Sequence, residues 1–127
     1  MKLSEAIRLG AMATEPARGF FIERSSNGII KTCAFGSAVY AAGQLLKWPE
    51  GNRYIIGRWP WVIHTLVKCP ACRWITIVME IIIHLNDYHG WSRERTAFFV
   101  SMIEPQEQVL LEDQRKEQPD NELVAAI

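Results

Sequence analysis

Several things are scarce or absent in this 127-residue chain, and each absence closes off a class of protein. There is no net charge: 14 basic residues balance 14 acidic ones. No large single-sign field therefore marks the chain for nucleic acid or a charged surface. There is no long apolar run. The longest, Ile75 to Leu85, is interrupted by Thr76, Glu80 and His84, and a bilayer span needs about 20 apolar residues. An export signal is not expected, because Glu5 and Arg8 stand where its apolar segment would be. Cysteine is scarce and odd in number, with three residues. Without an export signal, that favours reduced thiols or metal ligands over disulfides. No internal repeat is visible. These absences predict a cytoplasmic protein that does not enter a membrane.

What remains is an ordinary globular composition, 49% apolar and 22% charged. The length supports one core and not two. The charge is unevenly spread: from Glu104 onward there are seven acidic and two basic residues, so a mildly basic body precedes an acidic end. The expected organisation is one domain over residues 1–104 and a polar, acidic tail over 105–127. The tail extends the last helix through Val109 to Leu111 or is disordered, and disorder is expected beyond Pro119.

The body reads as mainly α, about four helices with a short irregular or β element. Ser4 can cap a helix over Glu5–Ala13, with Leu3, Ile7 and Ala11 at helical spacing. FFIERSSNGII suggests two short extended pieces around a turn at Ser25–Gly28. TCAFGSAVYAAG suggests a helix capped by Thr32 and ended by Gly43. Its small residues, among them Gly36, Ser37 and Ala38, let another element approach closely. KWPEGNRYIIGRWPW, with two prolines and three tryptophans, reads as irregular. WITIVMEIIIHL favours strand by propensity. Its polar stripe at Arg73, Thr76, Glu80, His84 and Asp87, together with its length, predicts one helix instead. Ser92 can cap a last helix, RERTAFFVSMI.

KCPACRW, residues 68 to 74, carries the clearest chemistry. With His84 and His89, Cys69 and Cys72 spell C-x2-C-x11-H-x4-H, close to a classical zinc finger. A single helix from residue 73 argues against that set. Residues 73–83 hold no Gly, Pro, Asn or Asp to turn the chain. A straight helix would carry His84 about 18 Å beyond Cys72, whereas zinc ligands converge within about 2.0–2.3 Å of one ion. The predicted ligand set is therefore Cys69 and Cys72 with His64 and Cys33, a closed structural zinc site. The alternative is a pair of ordinary buried thiols and no metal.

Three further constellations stand out. His84, Asn86, Asp87 and His89 crowd one corner. It reads either as a polar pocket with a fixed histidine tautomer or, more simply, as an elaborate capping turn with Asn86 at the C-cap. Arg53, Arg58, Trp59 and Trp61 interleave basic and aromatic groups, a pattern that can bind single-stranded nucleic acid or anchor a core. Cys33 falls at a helix N-terminus, which can activate a thiol for catalysis. The plainer reading is a small buried residue in a tight helix.

LSEAIRLGAM, TCAFGSAVYAAG and IIIHLNDYHGWSRERTAFFV resemble a group of small bacterial, phage and prophage proteins. That group shares a Ser-Glu-Ala-Ile-Arg-Leu-Gly start, a Cys-Ala-Leu-Gly-Ala-like helix and a His-Leu-Asn-Asp-x-His-x-Trp corner, with an optional Cys-Pro-x-Cys. The resemblance covers three blocks, about a third of the chain. It implies that Cys33, Asn86, Asp87, His89 and Trp91 belong to a common scaffold, and it implies no activity. Phe35 departs from the group's pattern in the second helix, and Thr96 and Phe98–Phe99 depart from it in the last, whose outer face is expected to be greasier.

The expected function is an accessory or regulatory protein that acts by binding another macromolecule. The alternatives are a nucleic-acid-binding module and, behind it, an enzyme dependent on Cys33. An exposed Phe98 or Phe99 would also favour self-association.

Overall fold

A computed structural model describes residues 1–17 and 22–106. The readings made of Val109–Leu111 and of the tail beyond Pro119 lie outside the described residues. The described chain is a small, mainly helical domain with a little sheet. In order come α1 (Leu3–Ala13), β1 (Glu15–Pro16), β2 (Ile22–Arg24), β3 (Ile30–Thr32), α2 (Ala34–Ala41) and α3 (Glu50–Arg58). A 3-10 turn (Pro60–Ile63) follows, then β4 (Leu66–Lys68), β5 (Ile75–Ile77), α4 (Val78–Asp87) and α5 (Arg93–Ile103).

The helices pack because each carries an apolar stripe at helical spacing. Leu3, Ile7, Phe35, Val39, Ile55, Val62, Val78, Ile82 and Val100 are fully buried or nearly so in the main core. α1 lies against α2 and against α5. Small residues on α2 allow the first contact: Gly10 of α1 comes up against the backbone of Ser37. α1 and α5 are antiparallel. The Ser4 amide and hydroxyl bond the Glu104 carboxylate at one end. At the other end Arg93 reaches the C-terminal carbonyls of α1.

Arg93 ties α5 to α1, α2 and β3. Its guanidinium is buried and donates to Thr14 Oγ1 at 2.8 Å, Thr32 Oγ1 at 3.1 Å and Ser37 Oγ at 3.3 Å. It also donates to the carbonyls of Ala11 and Thr14 at 3.3 and 3.2 Å. Those carbonyls belong to the negative end of the α1 dipole, which suits a cation. Burial pushes the guanidinium pKa down, against the opposing pull of Glu94 and Cys33.

Two small sheets fill the rest. β3 is central in the first, parallel to β1 and antiparallel to β2. β2 and β3 flank the expected turn, where Gly28 takes a positive φ of 86°. β4 and β5 form an antiparallel hairpin, Leu66 opposite Ile77 and Lys68 opposite Ile75.

Four local expectations change. The KWPEGNRYIIGRWPW segment is not irregular: Glu50–Arg58 is a helix that buries Ile55. The cap of α1 is Lys2, without a side-chain bond, because Ser4 already lies in the first turn and meets Glu104. Cys33 and not Thr32 caps α2, its Sγ accepting from the Gly36 amide at 3.4 Å. Thr32 is occupied in the Arg93 network. Most consequential, Arg73 to Leu85 is not one helix. The chain is extended through Ile77 and helical from Val78.

Candidate metal centre

The hairpin, the strand-to-helix switch and the α4–α5 corner build one site. Cys69 follows β4, and Cys72 lies in the turn before β5. The Cys69 amide donates to the Trp74 carbonyl at 2.7 Å, and the Ala71 amide points at Cys69 Sγ at 3.4 Å. One bond closes the turn and the other points a backbone donor at the Cys69 sulfur. β5 then leaves the turn for three residues, about 10 Å at 3.3 Å per residue. At Ile77, with φ −67° and ψ 153°, the chain folds over and α4 begins. The Val78 amide is held by the Thr65 carbonyl at 2.9 Å. Six helical residues later, a rise of about 9 Å, His84 is back beside the turn. The outward and return paths match in length.

As a result Cys69, Cys72, His84 and His89 converge, with a ligand atom from each all within 4.8 Å of one another. Cys72 Sγ and His84 Nε2 are 3.4 Å apart. An ion bound tetrahedrally at 2.0–2.3 Å spaces its ligands by about 3.3–3.8 Å, so that pair already has the required separation. The His84 and His89 rings are 4.5 Å apart and nearly perpendicular, at 85°. His89 Nε2 is buried and has no hydrogen-bond partner. A buried imidazole nitrogen left without a partner is costly, and an ion would satisfy it. The cluster can hold a metal ion. Cys69 is buried, and the other three residues are partly exposed. Burial, followed by the proximity of His89, pushes the His84 pKa down. That favours the neutral imidazole a metal requires.

The predicted ligand set is therefore corrected. Cys69 and Cys72 belong to the cluster, but His64 and Cys33 do not. His64 is exposed at the end of the 3-10 turn. Thr65 and the three residues of β4 separate it from Cys69, and the strand alone spans about 10 Å. Cys33 caps α2. His84 and His89 take the places assigned to these two residues, and the C-x2-C-x11-H-x4-H spacing was their signal. The objection to it assumed one straight element where the chain has two antiparallel ones.

The polar corner divides. His84 and His89 face the cysteines, whereas Asn86 is buried and structural. Its Oδ1 accepts from the Ala34 amide at 3.1 Å, and its Nδ2 donates to the Trp91 carbonyl at 2.9 Å. It thus sits inside α4 and not at its C-cap, which is Tyr88. Asp87 is exposed. Ser92 caps α5 through the Arg95 amide at 3.0 Å, as the spacing suggested. Trp91 packs on the small core of Cys69, Ile81, Leu85 and Phe99, with the Arg95 guanidinium 3.8 Å above its ring.

Of the basic and aromatic set, Arg53 and Arg58 are exposed and Trp61 is partly buried. Trp59 is a core residue, 2% exposed, with its indole nitrogen donating to the Met1 carbonyl at 3.0 Å. It is not placed to stack on a base. Burial pushes the Cys33 thiol pKa up, against the amides of Gly36 and Phe35 and with a further rise from Asp87. That is the wrong direction for a nucleophile at neutral pH. Phe98 and Met102 are exposed on α5, while Phe99 is buried. No helix among the described residues is long and apolar enough to cross a membrane. Comparison with family models, curated proteins and solved structures finds no match.

Proposed function

We propose that this chain is a zinc-clamped accessory protein that works through its surface, by binding another macromolecule. The convergence of Cys69, Cys72, His84 and His89 from a hairpin and a helix carries the reading. Two thiolates and two imidazoles are a donor set that suits zinc. Four protein ligands leave no open position for substrate, so the metal's role is structural. Its chemistry is to hold the β4–β5 hairpin against α4 and the start of the α4–α5 corner. The rest of the molecule then offers surface and not a reaction centre. No catalytic role is assigned to Cys33.

The test is metal content of untagged protein, with Cys69→Ser, His89→Ala, Cys33→Ser and His64→Ala beside it. One zinc per chain is expected in the parent, in Cys33→Ser and in His64→Ala. Cys69→Ser and His89→Ala should bind zinc at least tenfold more weakly, because each removes a ligand. A parent protein that takes up no zinc would refute the reading. Zinc that survives the loss of His89 would refute this ligand set.

A further inference from the structure

We propose that the cluster is also an oxidation site: hydrogen peroxide oxidises Cys72, Cys69 closes a disulfide with it, and zinc is released. The inference rests on the zinc reading and concerns how the site is regulated.

The two sulfurs are unequal. Cys69 is 1% exposed and receives the Ala71 amide, whereas Cys72 is partly exposed. Beside them is an open depression of about 450 Å³, lined by Lys68, Cys69, Pro70, Ala71, Cys72 and Arg73. A small oxidant reaches Cys72 through it. Zinc coordination keeps both sulfurs deprotonated. The partner sulfur is already at hand, because all four ligand atoms lie within 4.8 Å of one another. Cys33 is a poor competitor, since burial raises its pKa and so keeps it as the thiol.

The chemistry balances with peroxide as the oxidant. Cys72 Sγ attacks a peroxide oxygen, the O–O bond breaks, and hydroxide leaves. The product is a sulfenic acid. Cys69 Sγ then attacks the Cys72 sulfur, the S–O bond breaks, and a second hydroxide leaves. Two solvent protons convert the hydroxides to water. Peroxide gains two electrons, one from each sulfur. The disulfide no longer supplies two thiolates, and two imidazoles alone do not retain the ion.

The test uses the zinc-loaded full chain and hydrogen peroxide. Zinc release is read with a colorimetric chelator, and the modified residues are identified by mass spectrometry. The expected result is loss of one zinc per chain together with a Cys69–Cys72 disulfide. Dimedone, added to trap sulfenic acid, should mark Cys72. A thiol reductant with added zinc should restore the starting protein. Cys33→Ser should behave like the parent. Zinc retained while peroxide oxidises Cys33 would overturn this inference and leave the zinc reading standing. Dimedone on Cys69 alone would also overturn it. Failure of the unoxidised chain to take up zinc would overturn both.

Discussion

Gly10 has no room for a methyl group: a Cβ there would lie 1.8 Å from the Ser37 carbonyl oxygen. The obstacle is backbone, so α1 and α2 must move apart to admit it. Gly10→Ala should therefore lose about 2–3 kcal/mol of stability, despite the gain of about 1 kcal/mol that alanine brings to a helix. Gly57 in α3 meets nothing within 4 Å, and Gly57→Ala should gain about 0.5–1 kcal/mol. Urea melts of the two variants should move in opposite directions, and a Gly10→Ala protein as stable as the parent would contradict the close crossing. The small residues of α2 announced such a contact. Nothing in LSEAIRLGAM announced that Gly10 would be its partner, because a crossing point depends on two elements at once. Cys33 makes a second residue-scale point. Its folded pKa is raised by burial, so its contribution to stability is complete below the thiol's unfolded value, about 8.5. That contribution is lost as pH rises through the folded value. The urea midpoint should fall on the alkaline side, and Cys33→Ala should flatten that fall.

At the scale of elements, the least legible feature was the break at Ile77. Glycine, proline and asparagine mark most turns because they adopt unusual backbone angles. The break here needs none of them: Ile77 is extended, Val78 is helical, and both are ordinary conformations for β-branched residues. WITIVMEIIIHL therefore carried a strand signal and a helix signal because it contains both elements in sequence. The α4–α5 corner was easier to see, since Ser92 and the His-Leu-Asn-Asp run mark it. What the sequence could not show was that Asn86 reaches across to α2. One amide side chain holds the Ala34 N–H and the Trp91 carbonyl. Asn86→Ala leaves a buried amide and a carbonyl without their partner, and should cost about 2–4 kcal/mol. Asn86→Asp can still accept from Ala34 but cannot donate to Trp91, and it buries a charge. It should therefore fail to rescue. A thermal melt unchanged by both substitutions would remove Asn86 from its bridging role.

At the scale of the whole molecule, the described residues form two cores. The larger joins α1, α2, α3 and the inner faces of α4 and α5. The smaller surrounds the cysteines with Cys69, Ile81, Leu85 and Phe99. Val67 and Ile103 pack against both. The large core contains none of the clustered Cys and His residues, and its helices are held by burial and by the Arg93 network. The small one has too little apolar surface to keep a hairpin of three-residue strands in place, since isolated two-stranded hairpins are marginal in water. Metal loss should therefore be felt unequally. Removing zinc with a chelator should open the β4–β5 hairpin and the His89 end of the corner while α1, α2 and most of α5 persist. Hydrogen exchange should show it directly. Protection of the Cys69 and Val78 amides, bonded to Trp74 and Thr65, should fall by several orders of magnitude. The Ala6 and Val100 regions should change far less. Far-UV circular dichroism should keep most of its helical signal. Uniform loss of protection would mean that the two cores unfold as one unit. A bound ion would then stabilise the entire domain through α4, which among the described helices both carries a residue of the cluster and packs in the large core.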